Sequence, residues 1–200
     1  MSTNDQKKYI TYAYHGTKRN CNIGANGGET NPCNNVCSVC GILKGVFRVP
    51  TPVPGRSGGN FGWGIYSSTE SSKANDYSQN INRSDPIKAM FLCTVITGRK
   101  NVLTKTNGNL TSPGRNYDST LAQVVSTATG ANETLVYNHR QIKPHAVIMY
   151  SLSQTNTGPR PSPVRIYPAM SSRRTVLIRP SGSQTSRRVH HCEQPVRQGA

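Results

Sequence analysis

The stretch "GGNFGWGIYSSTESSKANDYS", residues 58–78, joins a glycine-rich turn to a serine-rich polar segment. Residues 67–78 begin with serines that can cap a helix, so we predict a short helix there. Tyr66 follows the glycine-rich turn, and Tyr77 comes eleven residues later. Because glycine lets a ligand approach the backbone closely, aromatic rings beside such a turn are suited to stacking on a flat heteroaromatic ligand.

Upstream, the motif "YHGT" (14–17) ends an alternating, Tyr- and Ile-rich run over residues 8–15 that predicts a strand. His15 offers a hydrogen-bond donor and an acceptor at the strand end, and Gly16 permits close backbone approach. A lone His-Gly pair is usually only a turn, so this motif indicates a binding site only in combination with the other motifs.

Downstream, "ANETLVYNHRQIKPHAVIMY" (131–150) predicts a strand over 133–138 that begins with Glu133. The chain has only eight acidic residues, so this carboxylate is conspicuous. It could orient a sugar hydroxyl or stabilise a cationic centre, although a carboxylate at a strand end is more often only solvated.

The remaining pattern sets the fold class. Apolar runs predict strands over 89–98 and 146–152, and helical spacing predicts a helix over 37–47. Prolines and glycines make 50–64 a long irregular loop. Several strands, short helices and long loops predict an α+β domain with a mainly antiparallel sheet.

Charge is high and uneven. The net charge is +16, and residues 155–200 contribute +7 from eight arginines and one glutamate. We therefore divide the chain into a domain, 1–153, and a basic Ser/Pro/Arg-rich tail, 154–200, that we expect to be largely disordered. The charge would attract nucleic acid or another phosphorylated partner. A merely solubilising surface is the alternative.

Localisation follows from what the sequence lacks. No apolar run of about 18 residues occurs, and the first ten residues have no apolar signal region. We therefore expect an intracellular protein, cytoplasmic or nuclear, with no membrane contact. We also expect a monomer.

Read in order, these motifs resemble the catalytic domain of poly(ADP-ribose) polymerases (PARPs) and diphtheria-toxin-like ADP-ribosyltransferases. That class places His, Tyr and Glu on three strands around an NAD site. The stretches that carry the resemblance are "YHGT", "FGWGIYSSTESSKANDY", "MFLCTVITGR", "SPGRNYDSTLA" and "NETLVY". They span about residues 9–150 and look closest to fungal PARP-like proteins with a Cys-bearing insertion. The implied fold is a split, mainly antiparallel β-sheet with short helices.

The resemblance implies a role for each matching residue. His15 would bind the nicotinamide ribose, the Gly16 backbone would pair with the nicotinamide amide, and Tyr66 and Tyr77 would enclose the ring. Glu133 would stabilise the oxocarbenium-like transition state. The implied catalytic set is His15, Tyr66 and Glu133. The implied NAD-binding set is His15, Gly16, Thr17, Tyr66, Ser67 and Tyr77.

Two positions depart from the patterns of related transferases. Ala74 stands where many PARPs have a serine that bonds the nicotinamide amide, so weaker NAD binding is expected by about 0.5–1.5 kcal/mol, the value of one hydrogen bond. Ala131 stands where arginine-specific transferases have a glutamate, which disfavours an arginine acceptor.

Four cysteines crowd one loop in the spacing C-x11-C-x3-C-x2-C. Four thiols in a reducing compartment are suited to tetrahedral zinc, although the spacing is not that of a standard finger. We predict a structural zinc site, which makes this a zinc-clipped loop; free thiols and disulfides are the alternatives. The predicted ligands are Cys21, Cys33, Cys37 and Cys40.

Together these features predict a transferase that moves ADP-ribose, one unit at a time, from NAD to a protein or nucleic-acid acceptor and releases nicotinamide. Two alternatives share the fold. One is a non-catalytic module that binds NAD or ADP-ribose, and the other is a basic, zinc-containing nucleic-acid-binding protein.

Overall fold

The computed structural model of the chain describes residues 9–24, 31–45, 47–80, 86–123 and 131–152, and the backbone of 165–168. In these ranges most regular structure is strand, with two short α-helices, α1 (Ser38–Lys44) and α2 (Ser71–Tyr77). A 3-10 helix covers His139–Gln141. The strands are β1 (Ile10–Gly16), β2 (Lys18–Arg19), β3 (Ile65–Ser67), β4 (Gln79–Asn80), β5 (Ile87–Ile96), β6 (Lys100–Leu103), β7 (Ser119–Ala122), β8 (Glu133–Val136), β9 (Ile142–Ser151) and β10 (Arg165–Pro168).

The first sheet has the order β1-β5-β9-β10, and all its pairs are antiparallel. The strand β5 of this sheet is nearly continuously apolar. One face, with Ala89, Phe91 and Cys93, is buried, and the other face is partly covered by the chain. The register pairs His15 with Phe91 and Gly16 with Met90. The end of β1 that carries His15 and Gly16 therefore lies against the middle of β5.

The second sheet has the order β3-β8-β7-β6, antiparallel except for the parallel β6–β7 pair. In the part of the chain that the structure describes, one isolated backbone bridge joins the two sheets. Tyr14 N–H donates to the Ser68 carbonyl at 2.6 Å, and Ser68 N–H donates to the Tyr14 carbonyl at 3.0 Å. This bridge brings the ends of β1 and β3 together, so the predicted split and mainly antiparallel arrangement is present among the described residues.

Helix α1 packs on the first sheet. Its buried side chains include Val39 and Leu43, at the spacing that predicted a helix, and they join a core cluster with Phe91 and Val147. The helix is shorter than the predicted 37–47, since it ends at Lys44 before Gly45. Glycine is a poor helix former and commonly marks such an end.

The predicted serine cap of the helix over 67–78 is wrong. Residue Glu70 occupies the position before α2, and its side chain makes no cap hydrogen bond. The serines have other partners, because Ser67 Oγ donates to the Thr134 carbonyl at 3.2 Å and Ser68 Oγ donates to the Asn132 carbonyl at 2.7 Å. These hydroxyls tie β3 to β8.

Part of the predicted tail contributes to the first sheet. Residues 165–168 form β10 and pair antiparallel with β9, so this sheet extends past the predicted domain boundary at residue 153. Strand β9 would otherwise offer an open edge of backbone donors and acceptors, which favours pairing. The rest of the predicted tail lies outside the described residues.

No helix in the described part of the chain is long and apolar enough to span a membrane.

Candidate active site

A cavity of about 930 Å³ opens where the ends of β1, β3 and β8 meet. Every residue predicted to contact NAD or act in catalysis lines it: His15, Gly16, Thr17, Tyr66, Ser67, Tyr77 and Glu133. Residues up to 118 positions apart in the sequence thus share one site. Its volume lies within the range of about 300–1,000 Å³ that is usual for ligand sites.

His15 is held by a backbone contact. Its Nδ1 lies 2.7 Å from the Tyr66 carbonyl oxygen. Since a carbonyl can only accept, Nδ1 carries the proton and Nε2 is left as an acceptor. Burial lowers the pKa of His15, and the hydrogen bond to Tyr66 opposes this only in part, so the ring is neutral near pH 7. The Phe47 ring packs edge-to-face on it, with 4.9 Å between centroids.

Close packing against α2 requires glycine at position 16, and the backbone groups of Gly16 are available to a ligand. A Cβ at this position would collide with the carbonyl oxygen of Ala74 in α2. Alternate residues of a strand direct their N–H and C=O groups to the same edge. Because Tyr14 uses that edge to bridge Ser68, Gly16 presents its own N–H and C=O to the same gap, where it lines the cavity.

Tyr66 uses its hydroxyl to fix its ring. The oxygen accepts from the Phe61 amide at 2.9 Å, and the hydroxyl donates to the Gly62 carbonyl at 3.0 Å. Burial raises the pKa of Tyr66 to about 12, with the Phe61 hydrogen bond opposing it. The hydroxyl is therefore a neutral anchor to the glycine-rich turn, and the ring is the surface that Tyr66 offers to a ligand.

Glu133 begins β8 and is buried, with 5% of its surface exposed. Its Oε1 lies 3.9 Å from Nζ of Lys73, another buried side chain. Burial raises the pKa of Glu133, the Lys73 cation lowers it, and nearby Asp76 raises it again. The Lys73 ammonium also lies 5.8 Å from the centre of the Tyr77 ring, so one cation links the acid to the second aromatic side chain.

The other predicted residues have defined local contacts. The Ser67 hydroxyl donates to the Thr134 carbonyl, so the hydroxyl oxygen can still accept a hydrogen bond. The Thr17 carbonyl accepts from the Gln79 amide at 3.4 Å. Tyr77 is half exposed at the mouth of the cavity. The contacts of all these residues with a ligand remain predictions.

Sequence patterns did not identify two further residues of the site, Phe47 and Lys73. Phe47 is the last residue of the predicted helix and is not part of its apolar spacing, and its partner His15 is 32 residues away. Lys73 lies in a serine-rich segment whose polar pattern is typical of a solvent-exposed helix face. The only available signal was its place between Tyr66 and Tyr77.

A second cavity of about 450 Å³ adjoins the first. The two cavities share Tyr66, Tyr77 and Glu133, and glycines of the turn together with Trp63 form much of the outer wall. Glu133 thus faces both spaces.

The four predicted metal ligands lie together as free thiols, and their sulfur atoms are all within 4.8 Å of one another. The Cys21 sulfur is 3.4 Å from that of Cys40 and 3.7 Å from that of Cys37. Four thiolates around tetrahedral zinc at about 2.3 Å would lie about 3.8 Å apart, so the donor set fits. We call Cys21, Cys33, Cys37 and Cys40 the cysteine cluster.

Backbone amides also point at the cluster. Asn20 N–H donates to Cys37 Sγ, and Cys33 N–H donates to Cys40 Sγ, both at 3.3 Å. Such donors stabilise thiolates, the form of cysteine that binds metal.

Comparison with protein-family models aligns residues 34–152 with the poly(ADP-ribose) polymerase catalytic domain. The aligned range is more than half of the chain and includes Tyr66 and Glu133, whereas His15 precedes it. A search of curated proteins finds no match. The family alignment confirms the resemblance predicted from the sequence; the closer likeness to fungal proteins stays a prediction.

Proposed function

Because this chain belongs to the poly(ADP-ribose) polymerase catalytic domain family, we propose that it transfers ADP-ribose from NAD to an acceptor and releases nicotinamide. The observation that supports this most directly is the convergence of His15, Tyr66 and Glu133 on one cavity of dinucleotide size. The adjoining cavity contains Tyr66 and Glu133 but not His15.

The cavity offers a matching group for each end of the nicotinamide riboside. The free backbone edge of Gly16 can exchange two hydrogen bonds with a carboxamide, which has both a donor and an acceptor. The rings of Tyr66 and Tyr77 supply apolar surface for the nicotinamide ring. The unprotonated Nε2 of His15 can accept a hydrogen bond from a ribose hydroxyl.

In the proposed reaction the bond between ribose C1′ and the nicotinamide nitrogen breaks, and its electron pair leaves with neutral nicotinamide. Positive charge develops on the ribose, and the acceptor nucleophile then bonds to C1′ and loses a proton. Glu133 stabilises the developing charge, and burial strengthens that interaction. Lys73 holds the carboxylate in place without being close enough for a short hydrogen bond. The protein positions and stabilises, and it forms no covalent bond itself.

We propose that a macromolecular acceptor enters through the second cavity, since Glu133 faces it and the reacting carbon would lie between the two spaces. A protein or a nucleic acid could present its nucleophile there. Ala131 near the strand start leaves no second carboxylate to orient an arginine side chain, so arginine is disfavoured. One ADP-ribose unit per acceptor site is expected.

The test is release of nicotinamide from NAD by the purified protein, followed by labelled NAD in a lysate with and without nuclease. We expect nicotinamide release and a labelled macromolecule. Binding of NAD with no release over hours, in protein that contains zinc, would instead identify a non-catalytic module on the same fold.

We also propose that the cysteine cluster holds one zinc ion per chain with a structural role. The support is its close set of four thiols and the amides that point at them. Zinc would supply a cross-link there and no reaction step, since the cluster leaves no open ligand position. Elemental analysis of protein purified without added zinc should find about one zinc per chain. Four reactive thiols and no metal would contradict the site.

A further inference from the structure

Helix α1 has two functional faces. Ser38, Gly41, Ile42 and Gly45 line the large cavity, at the i, i+3, i+4, i+7 spacing of one helix face. Cys40, and Cys37 just before the helix, belong to the cysteine cluster. The cluster and the cavity therefore meet at this helix, and Cys37 lines the cavity as well.

The helix has little stability of its own. It is seven residues long, it contains Gly41, and Cys37 at its start makes no side-chain cap hydrogen bond. Helices this short are marginal in isolation, and glycine weakens them further. Its position must come from packing and from the groups that hold its ends.

Two ties join α1 to the preceding loop. One is the cluster itself, in which Cys21 and Cys33 lie on the loop side. The other is Lys44, whose Nζ donates to the Cys33 carbonyl at 2.5 Å and to Asn34 Oδ1 at 2.8 Å. A metal ion in the cluster would fix the first turn of the helix, as Lys44 fixes the last.

Beyond α1, the wall of the large cavity continues to a residue that contacts the proposed NAD-binding residue His15. Just after α1, Phe47 is buried, lines the cavity and packs on both His15 and Phe91. A shift of α1 would therefore change the cavity wall and the packing of His15 together. Gly16, Tyr66 and Tyr77 belong to other elements and do not depend on α1 in this way.

We propose that metal binding by the cysteine cluster sets the affinity of the cavity for NAD by holding α1 in its binding position. This inference rests on the proposed function. It assigns positioning roles to the four cysteines, which are not among the residues proposed to bind nicotinamide or to act in the reaction. The ADP-ribose part of NAD extends beyond the nicotinamide groups, so affinity for it should depend on the metal, and affinity for nicotinamide alone should not.

The first experiment compares wild type with Cys33→Ser, because Cys33 lies in the loop and does not line the cavity. Zinc content, the unfolding midpoint and the dissociation constants for NAD and nicotinamide are measured. If α1 keeps its position one tenth of the time without zinc, NAD binds about tenfold more weakly, while nicotinamide changes less than about threefold. Cys33→His should restore zinc and NAD affinity, and Cys93→Ala should change neither, as Cys93 lies in the core. Loss of zinc with unchanged NAD affinity would overturn the proposal.

A second experiment uses the zinc-loaded wild type and does not depend on how a variant folds. Coupling between two sites is reciprocal in binding affinity, so saturating ADP-ribose should tighten zinc binding by about tenfold, as measured at equilibrium against a competing chelator, and nicotinamide should not. Equal zinc affinities with and without ADP-ribose would overturn the coupling. If the zinc-loaded protein binds neither NAD nor ADP-ribose, the proposed function itself fails.

Discussion

At the scale of single residues, Glu133 illustrates how a group that is proposed to act in a reaction can be unfavourable for the fold. Burial raises its pKa above the usual value, so folding disfavours the carboxylate relative to the neutral acid. The stability that belongs to the neutral form is present at low pH and is lost as pH rises through the raised pKa. When Glu133 is ionised, the folded protein thus holds an unfavourable charge at the place where positive charge would develop in the proposed reaction.

We therefore predict that Glu133→Gln lowers the rate of nicotinamide release at least about 100-fold, the effect of losing one well-placed electrostatic group. NAD affinity should stay within a few fold, since the amide keeps the shape of the side chain. The free energy of unfolding should be unchanged or higher. Steady-state kinetics, calorimetry and denaturant unfolding measure the three effects.

Glu70→Gln is the matched control, because Glu70 is an exposed carboxylate just before α2. It should leave the rate unchanged. Wild-type turnover in Glu133→Gln would remove Glu133 from the catalytic set, and a large loss of stability would assign it a structural role instead.

His15 leads to a prediction about pH. Its pKa is lowered from the ordinary 6.5 by burial, so the unfolded chain binds a proton at a pH where the folded protein does not. The contribution of the neutral ring to stability is thus present above about pH 6.5 and is lost as pH falls. NAD affinity should be constant from pH 8 to 6.5 and weaken in more acidic buffer, because protonation removes the Nε2 acceptor.

The measurement is calorimetric binding of NAD and denaturant unfolding between pH 8 and 5. His15→Gln cannot titrate and should lose less stability on acidification than wild type, whereas His145→Gln, on an exposed residue, should behave like wild type. A His15→Gln protein as acid-sensitive as wild type would contradict the assignment.

These residues also show where sequence reasoning reaches its limit. His15, Tyr66 and Glu133 could be predicted because each lies in a short motif at the end of a strand, and the order of the motifs is informative. Phe47 and Lys73 could not, because their importance comes from contacts with His15 and Glu133 that only the fold creates. No local pattern marks such a contact.

At the scale of elements, α1 contains a glycine that its own packing does not explain. Among the described residues, no atom beyond the chain neighbours and the backbone of the helix itself lies within 4 Å of the place where a Cβ of Gly41 would be, and its φ is not in the left-handed region. Glycine in a helix costs about 0.5–1 kcal/mol relative to alanine. The space beside Gly41 belongs to the large cavity, so the missing side chain leaves room for a ligand.

We predict that Gly41→Ala raises the free energy of unfolding by about 0.5–1 kcal/mol and weakens NAD binding. The added methyl would meet the ligand, and such overpacking costs about 1 kcal/mol or more, roughly fivefold or more in affinity. Ser72→Ala is the control, since it changes an exposed position in α2. Stabilisation with unchanged or tighter NAD binding would show that the ligand lies away from α1.

Long apolar strands could be predicted, and short polar ones could not. Strands β5 and β9 follow from their apolar runs, although β9 begins at Ile142 and not at residue 146. Strands β6 and β7 lie in a polar segment and exist through their pairing with each other and with β8. Ser119 and Thr120 are buried there, and their hydroxyls make hydrogen bonds. Such polar residues in the sequence are typical of a loop.

At the scale of the whole molecule, much of the basic charge lies outside the proposed site. The cavity lining includes Lys44, Arg48 and Lys73, and Lys73 pairs with the buried Glu133. Residues 169–200 carry six arginines and one glutamate, a net charge of +5. Arginine forms paired hydrogen bonds with phosphate, so this segment is suited to contact nucleic acid. The role of this charge would then be to recruit an acceptor and not to promote the reaction.

We predict that deletion of residues 169–200, which keeps β10, leaves NAD cleavage intact and removes most salt-sensitive binding to nucleic acid. Each phosphate contact contributes about 0.9 to the slope of log affinity against log salt. If the six arginines bind phosphates, the slope for a duplex should therefore become flatter by about 5. Fluorescence anisotropy with a labelled duplex at 50–300 mM salt measures the slope, and nicotinamide release is measured on the same preparation. A control variant that replaces the six arginines with glutamine separates charge from length, and it should have the same flattened slope as the deletion. An unchanged slope in both variants would place nucleic-acid binding elsewhere on the chain, and loss of NAD cleavage in the deletion alone would show that these residues support the domain.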